Sequence, residues 1–188
     1  MQIHLYAVSL DSLDWQSGCR SSANHPDISI VNSDYAQILR ELLQTQQVAS
    51  LGTLHLGQPY VSMVPFAFLP GDAGFVIHVS TLARHTKDML LSPEVSLLVV
   101  APPSPGIAPQ ALARVTIQGK AVQLTALSPG HLAAKSVYLS RFPQSAQMFA
   151  FSDFSLFVIW PSAIRFVGGF AQARTISAET LAEVMRES

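Results

Sequence analysis

Apolar and polar positions change their period several times along this chain, and each change marks an element. Residues 1–30 keep no sustained period. The run S-G-C-R-S-S-A-N-H-P within them is rich in turn formers, which reads as an irregular arm ahead of a single domain over 31–188. From Asp34 the spacing becomes helical: D-Y-A-Q offers a capping box, and Tyr35, Ile38, Leu39 and Leu42 fall on one face of a helix ending near Gln47. Val48 to His55 and Gln58 to Leu69 then read as the two strands of a hairpin joined through Leu56 and Gly57. In the second of these, Tyr60, Ser62, Val64, Phe66 and Phe68 alternate with Val61, Met63, Pro65 and Ala67. Both sets are mostly apolar, so the strand is expected to be covered on both faces. Pro65 cannot donate to a ladder and predicts a bulge or an edge there.

Further along, Pro70 to Gly74 makes a turn before a strand over Phe75 to Ser80, and Ser92-Pro93 ends a short helix ahead of a strand over Glu94 to Ala101. P-P-S-P-G-I-A-P is a loop, Ala111 to Leu124 a long strand, and Ser128-Pro129 the start of a second substantial helix running to about Arg141. Strands over Ser155 to Trp160 and Ala163 to Val167 are separated by Pro161, and Ser177 is placed to cap a terminal helix carrying Leu181, Val184 and Met185. Strand–helix alternation is not sustained. The pattern therefore predicts a mainly β fold with inserted helices, an antiparallel barrel that is closed or nearly so, rather than a parallel sheet.

Composition narrows the partners. A chain of 188 residues can bury a sizeable core without disulfides, and the single Cys19 can form no internal bridge, which suggests a reducing compartment. Hydrophobic residues make up 49% and charged residues only 12%, so part of the surface is expected to be covered by a second copy in a homodimer. No apolar run approaches the roughly 20 residues of a membrane-spanning helix. The start of the chain lacks a basic n-region, so no secretory signal is expected and the cytoplasm is the default location. A net charge of -1 gives no electrostatic footprint for nucleic acid. The histidines, at 4, 25, 55, 78, 85 and 131, show no metal-ligand spacing, so no metal site is expected.

Candidate chemistry concentrates in S-T-L-A-R-H-T-K-D, Ser80 to Asp88. Arg84, His85 and Lys87 fall in a helix's first turns, where cations oppose the helix dipole unless an anion is bound there. With the hydroxyls of Ser80, Thr81 and Thr86 they would satisfy a phosphate. The alternative is a solvated helix face with Asp88 as the local partner of the cations. His78, on a buried strand, reads more simply as a core histidine than as a catalytic base.

The chain resembles the FMN-binding split barrel of pyridoxamine 5'-phosphate oxidase and its relatives over about residues 34–176. The resemblance rests on L-G-T-L, G-Q-P-Y-V-S-M-V-P-F, H-V-S-T-L-A-R-H-T-K-D, S-P-E-V-S-L-L-V and R-V-T-I-Q-G-K-A, in that order. G-Q-P-Y, L-A-R-H-T-K and F-V-G-G-F-A-Q-A-R look especially like the haem-utilisation branch, which includes flavin-free haem-degrading members. The resemblance implies a Greek-key split barrel with FMN at a homodimer interface, acting as an oxidoreductase on a small molecule; the alternative it implies is a haem-binding or haem-degrading protein. By resemblance Ser62, Met63, Val64 and Pro65 line the flavin ring, and His78, Val79 and Ser80 contact the cofactor. Arg84 and His85, with Lys87 nearby, hold the phosphate, while Arg114 reaches the flavin from the partner subunit. Tyr138, Arg141 and Ser145 resemble substrate-phosphate residues, with the Tyr to Arg spacing one position short. Ser62 stands where the oxidase has an arginine, its Arg-x-His substrate motif is missing from F-A-Q-A-R-T-I, and Asp88 stands where the haem branch usually has Asn.

Overall fold

The computed structural model describes residues 33–71, 73–169 and 172–186; the arm expected over 1–30 lies outside them. Eight strands, β1 (Val48–His55), β2 (Gln58–Pro65), β3 (Ala67–Leu69), β4 (Gly74–Ser80), β5 (Glu94–Val100), β6 (Arg114–Leu124), β7 (Phe154–Val167) and β8 (Ala173–Ile176), form one antiparallel sheet. Its order is β2-β1-β5-β6-β7-β4-β3, with β8 on β7, so β2 and β3 end the path and the barrel is split rather than closed. Among the described residues four α-helices are inserted: α1 (Ser33–Thr45), α2 (Arg84–Leu91), α3 (His131–Arg141) and α4 (Ala178–Arg186).

The alternation along β5 and β6 sorts side chains between two faces with different fates. The inward set, including Leu51, Phe75, Ile77, Leu97, Ile117 and Phe166, is fully buried, and α1 and α4 add Leu39, Leu43 and Leu181 to the same core. Each such side chain contributes about 1.5–3 kcal/mol by leaving water. A second, smaller cluster lies on the other face of β4 and β7, where Val76, Leu156 and Val158 pack under Ala134, Tyr138 and Phe142 at α3. Thus β4 and the start of β7 are covered on both faces.

Strand β2 is not. Val61 is 67% and Met63 61% exposed, whereas Val64 on the opposite parity is buried, so the expectation of two covered faces fails within one chain. Its outward residues, with Val48 and Leu54 of β1, form an open apolar sheet face. Other boundaries also move. The strand predicted to Leu69 breaks at Phe66, whose N–H turns to Gln47 O at 3.2 Å. Pro161 does not divide β7: the β6–β7 register shifts between Gln118 and Gly119, and this bulge absorbs the missing donor. Gly119 is needed there, because a Cβ would sit 2.2 Å from Trp160 O. Strand β6 starts at Arg114, behind a 3-10 turn over Pro109–Ala111. Helix α3 starts at His131 behind left-handed Gly130 (φ 81°), not at Pro129. Asp34 lies inside the first turn of α1.

Candidate functional site

Helix α2 begins where β4 ends, and the turn between them uses up most of the hydroxyls predicted for an anion. Ser80 Oγ accepts from Leu82 N–H at 3.1 Å and donates to Asp153 Oδ2 at 3.2 Å. Thr86 Oγ1 donates to Ser80 O at 2.6 Å, and Ala83 N–H to the same carbonyl at 3.1 Å. These bonds set the turn, so Ser80 and Thr86 shape the helix start. Among the described residues the helix is uncapped: its N-cap is Ala83, no side chain bonds its first N–H groups, and no acidic residue lies in its first turn.

Arg84 and Lys87 are exposed, and neither forms an ion pair with a described residue. Arg84 leans over β2, its guanidinium carbon 5.6 Å from the centre of the Tyr60 ring. Tyr60, Ser62 and Val64 share that inward parity of β2, while Met63 and Pro65 lie on the other. Ser62 Oγ and His85 Nε2 are buried polar atoms without a hydrogen-bond partner among the described residues. Burial lowers the His85 pKa, partly offset by the nearby Asp88 charge. A hydroxyl, an imidazole, a guanidinium and an uncapped helix N-terminus form a donor set whose chemistry fits a phosphate or carboxylate.

Asp88 makes no ion pair with Arg84 or Lys87, although the Arg84 charge helps to lower its pKa. It is buried (3% exposed), turned toward β1, where Thr53 Oγ1 donates to its Oδ2 at 3.1 Å and His55 Nδ1 lies 2.8 Å from its Oδ1. Burial pushes its pKa up, but the hydrogen bonds from His55 and Thr53 outweigh this and the net shift is down. Asp88 as a surface partner of Arg84 and Lys87 is therefore corrected. The Thr53–His55–Asp88 cluster was missed in the sequence; its signal was Asp88 itself, an acid where the resembled branch carries an amide.

The remaining candidates separate. Val79 is packed in the main core. His78 points to the other face of β4, stacked on Phe149 with ring centres 3.8 Å apart and 3° between planes, with Tyr138 and Phe154 around it. Its Nδ1 is buried without a partner among the described residues, and desolvation, helped by the Lys135 charge, lowers its pKa to about 4. Arg114 folds back on Gln110 O at 3.1 Å and Leu112 O at 3.0 Å. The two hydrogens of Arg141 Nη2 are shared among Leu43 O and Gln44 O, at 3.0 and 3.1 Å, and Gln46 O, closing the C-terminal end of α1. Buried Tyr138 meets Ser145, and burial raises its pKa to about 12 against that hydrogen bond; Arg141, committed to α1, does not share it. On the open face of the sheet, a groove of about 530 Å³ runs past Gly52, Leu54, Tyr60, Val61, Ser96 and Gln118. A Cβ on Gly52 would lie 2.6 Å from Ser96 Oγ, so glycine keeps the groove floor low. Among the described residues no helix is long and apolar enough to cross a membrane.

The profile of the family described as Pyridoxamine 5'-phosphate oxidase matches residues 36–168. Over 123 residues the chain is 37% identical to an Arabidopsis thaliana protein named a chloroplastic heme oxygenase, HOZ, covering 65% of this chain and 36% of that protein. The chain thus spans about a third of that relative's length. A Vibrio cholerae protein named heme oxygenase HutZ is 26% identical over 147 residues, 77% of this chain and 82% of that one. A solved structure titled as a heme binding protein from Mycobacterium smegmatis superposes with a TM-score of 0.69 and 28% identity, covering 79% of this chain and 60% of that one. The chain belongs to the pyridoxamine 5'-phosphate oxidase family and has its split-barrel fold.

Proposed function

We propose that this member of the pyridoxamine 5'-phosphate oxidase family handles haem, binding it as substrate or cargo, and does so as a homodimer. The observation that carries this reading is the 37% identity over 123 residues with a relative named a heme oxygenase. The donor chemistry supports it. Haem is a flat apolar ring edged by two carboxylates, and the exposed Arg84 beside Tyr60 supplies a cation next to an aromatic wall, with exposed Lys87 on the same helix. The open apolar face of β1 and β2 supports the dimer, since exposed Val61 and Met63 are a surface that a second copy would remove from water. Bound haem supplies iron that can activate oxygen; the chain contributes binding, orientation and exclusion of water. Titrating ferric haem into the purified chain tests this: a saturable Soret shift is expected, and a spectrum equal to free haem at every ratio refutes it.

A second reading, FMN binding with oxidoreductase activity, is favoured by one observation: the uncapped start of α2 with Arg84 and the orphaned Ser62 Oγ and His85 Nε2. That set fits a phosphate as well as a propionate. Protein that purifies yellow and releases flavin on heating supports this reading, and protein that stays colourless and binds no added FMN removes it.

A further inference from the structure

We propose that His55 is the residue through which this chain ligates haem iron, with Asp88 as the residue that positions its ring; the inference rests on the haem reading above. Haem iron takes one axial side chain from a protein in many haem sites, commonly a histidine nitrogen carrying a free lone pair. Among the described residues no three of His, Cys, Asp and Glu gather as a site for a bare metal ion, so a single well-presented ligand is the arrangement to look for.

Four histidines are described, and they differ sharply in what they present. His78 is sealed into the Phe149 stack, 7% exposed. His85 has its Nε2 buried and His131 its Nδ1 buried, and among the described residues neither ring is held by a carboxylate. His55 sits at the end of β1 with 35% of its side chain exposed. Its Nδ1 lies 2.8 Å from Asp88 Oδ1, and the other Asp88 oxygen accepts from Thr53 at 3.1 Å. A carboxylate has no proton to give, so Nδ1 carries the hydrogen and donates. The lone pair of the neutral ring is then on Nε2, which has no partner among the described residues.

A histidine whose second nitrogen donates to a carboxylate is the arrangement found behind metal-ligating imidazoles, because it fixes the tautomer and raises ligand basicity. Here the carboxylate is itself fixed by Thr53 and by burial, so the ring is held before any ligand arrives. Two neighbours suit the rest of haem. The Tyr60 ring lies 6.4 Å from the His55 ring at 59°, offering an apolar wall beside the iron ligand. Over that wall sits the Arg84 guanidinium, which forms no ion pair with a described residue and fits a propionate. The acid at position 88 also has an explanation on this reading: an amide there could not hold Nδ1–H with a full negative charge.

The test is absorption and resonance Raman spectroscopy of the full chain with ferric haem, then after reduction. The parent is expected to give an imidazole-ligated spectrum. His55→Gly should lose that spectrum and regain it when millimolar imidazole is added, with a far-UV circular dichroism spectrum equal to the parent's showing that the variant is folded. Asp88→Asn should keep the histidine–iron bond while weakening haem binding by about ten- to a hundredfold and lowering the iron–histidine stretching frequency. If His55→Gly keeps the parent's ligation, the inference is overturned while the haem reading stands. An unchanged stretching frequency in Asp88→Asn overturns the positioning role. Should the parent itself show no shift with haem, both readings fall together.

Discussion

Lowering the pH should destabilise this protein through His78. Its imidazole is packed between Phe149, Tyr138 and Phe154 and buried from water, so the folded state resists its protonation and holds the pKa near 4, against 6.5 for an ordinary histidine. Above the unfolded value both states carry a neutral ring and the group has no effect. Below it the unfolded chain binds a proton that the folded chain refuses, so stability falls with pH; the penalty is complete only below the folded value. At about 1.36 kcal/mol per pH unit that gap corresponds to about 3 kcal/mol, and solvent screening of the Lys135 contribution brings it to about 2–3 kcal/mol. With a urea slope near 2 kcal/mol per molar, the denaturation midpoint should drop by about 1 M from this residue alone. The assay is urea denaturation at closely spaced pH values for the parent and for His78→Phe, read as the difference between the two pH profiles so that other titrating groups cancel. The variant should lack this segment of the slope, and the parent's His78 proton resonances should not titrate at the ordinary value. Parallel profiles, or a measured pKa near 6.5, would refute the claim that burial governs His78.

Three further outcomes follow from the geometry. Arg84→Ala should weaken FMN binding about ten- to a hundredfold, the loss of a charge-assisted contact of about 1.5–3 kcal/mol, while riboflavin, which has no phosphate, keeps its affinity; equal losses for both flavins in equilibrium titrations would place the phosphate elsewhere. Arg141→Ala removes the three carbonyl contacts that close α1 and should lower stability by about 2–4 kcal/mol and the melting temperature by about 4–15 °C; an unchanged melting curve would contradict the capping role. Met63→Asp, on the exposed face of β2, should shift the chain toward monomer in analytical ultracentrifugation with little change in melting of the monomer, and a mixture of species identical to the parent's would remove that face from the dimer.

Much of the architecture was legible because it depends on local period. The alternation of β5 and β6, the helical spacing of Tyr35, Leu39 and Leu42, and the Leu56–Gly57 hairpin all come from side-chain geometry within a few residues. The order of short motifs along the chain pointed to the family, and the concentration of cations at Arg84, His85 and Lys87 pointed to the start of α2. What needed the tertiary structure was every pairing across long separations. Whether Pro161 ends a strand depends on a bulge opposite Gly119, some forty residues away in sequence. Whether Arg141 meets a ligand or the end of α1 depends on how α3 packs, and whether both faces of β2 are covered depends on what lies across the sheet. Asp88 shows the division most clearly. Its charge is written in the sequence, but its hydrogen-bond partners are set by the approach of α2 to β1, and that approach brings Thr53 and His55 to it, leaving Arg84 to act on it through charge alone. Period is a property of neighbouring residues and survives reading one at a time; hydrogen-bond partners are chosen by which surfaces the hydrophobic core brings into contact, and those contacts exist only once the chain has folded.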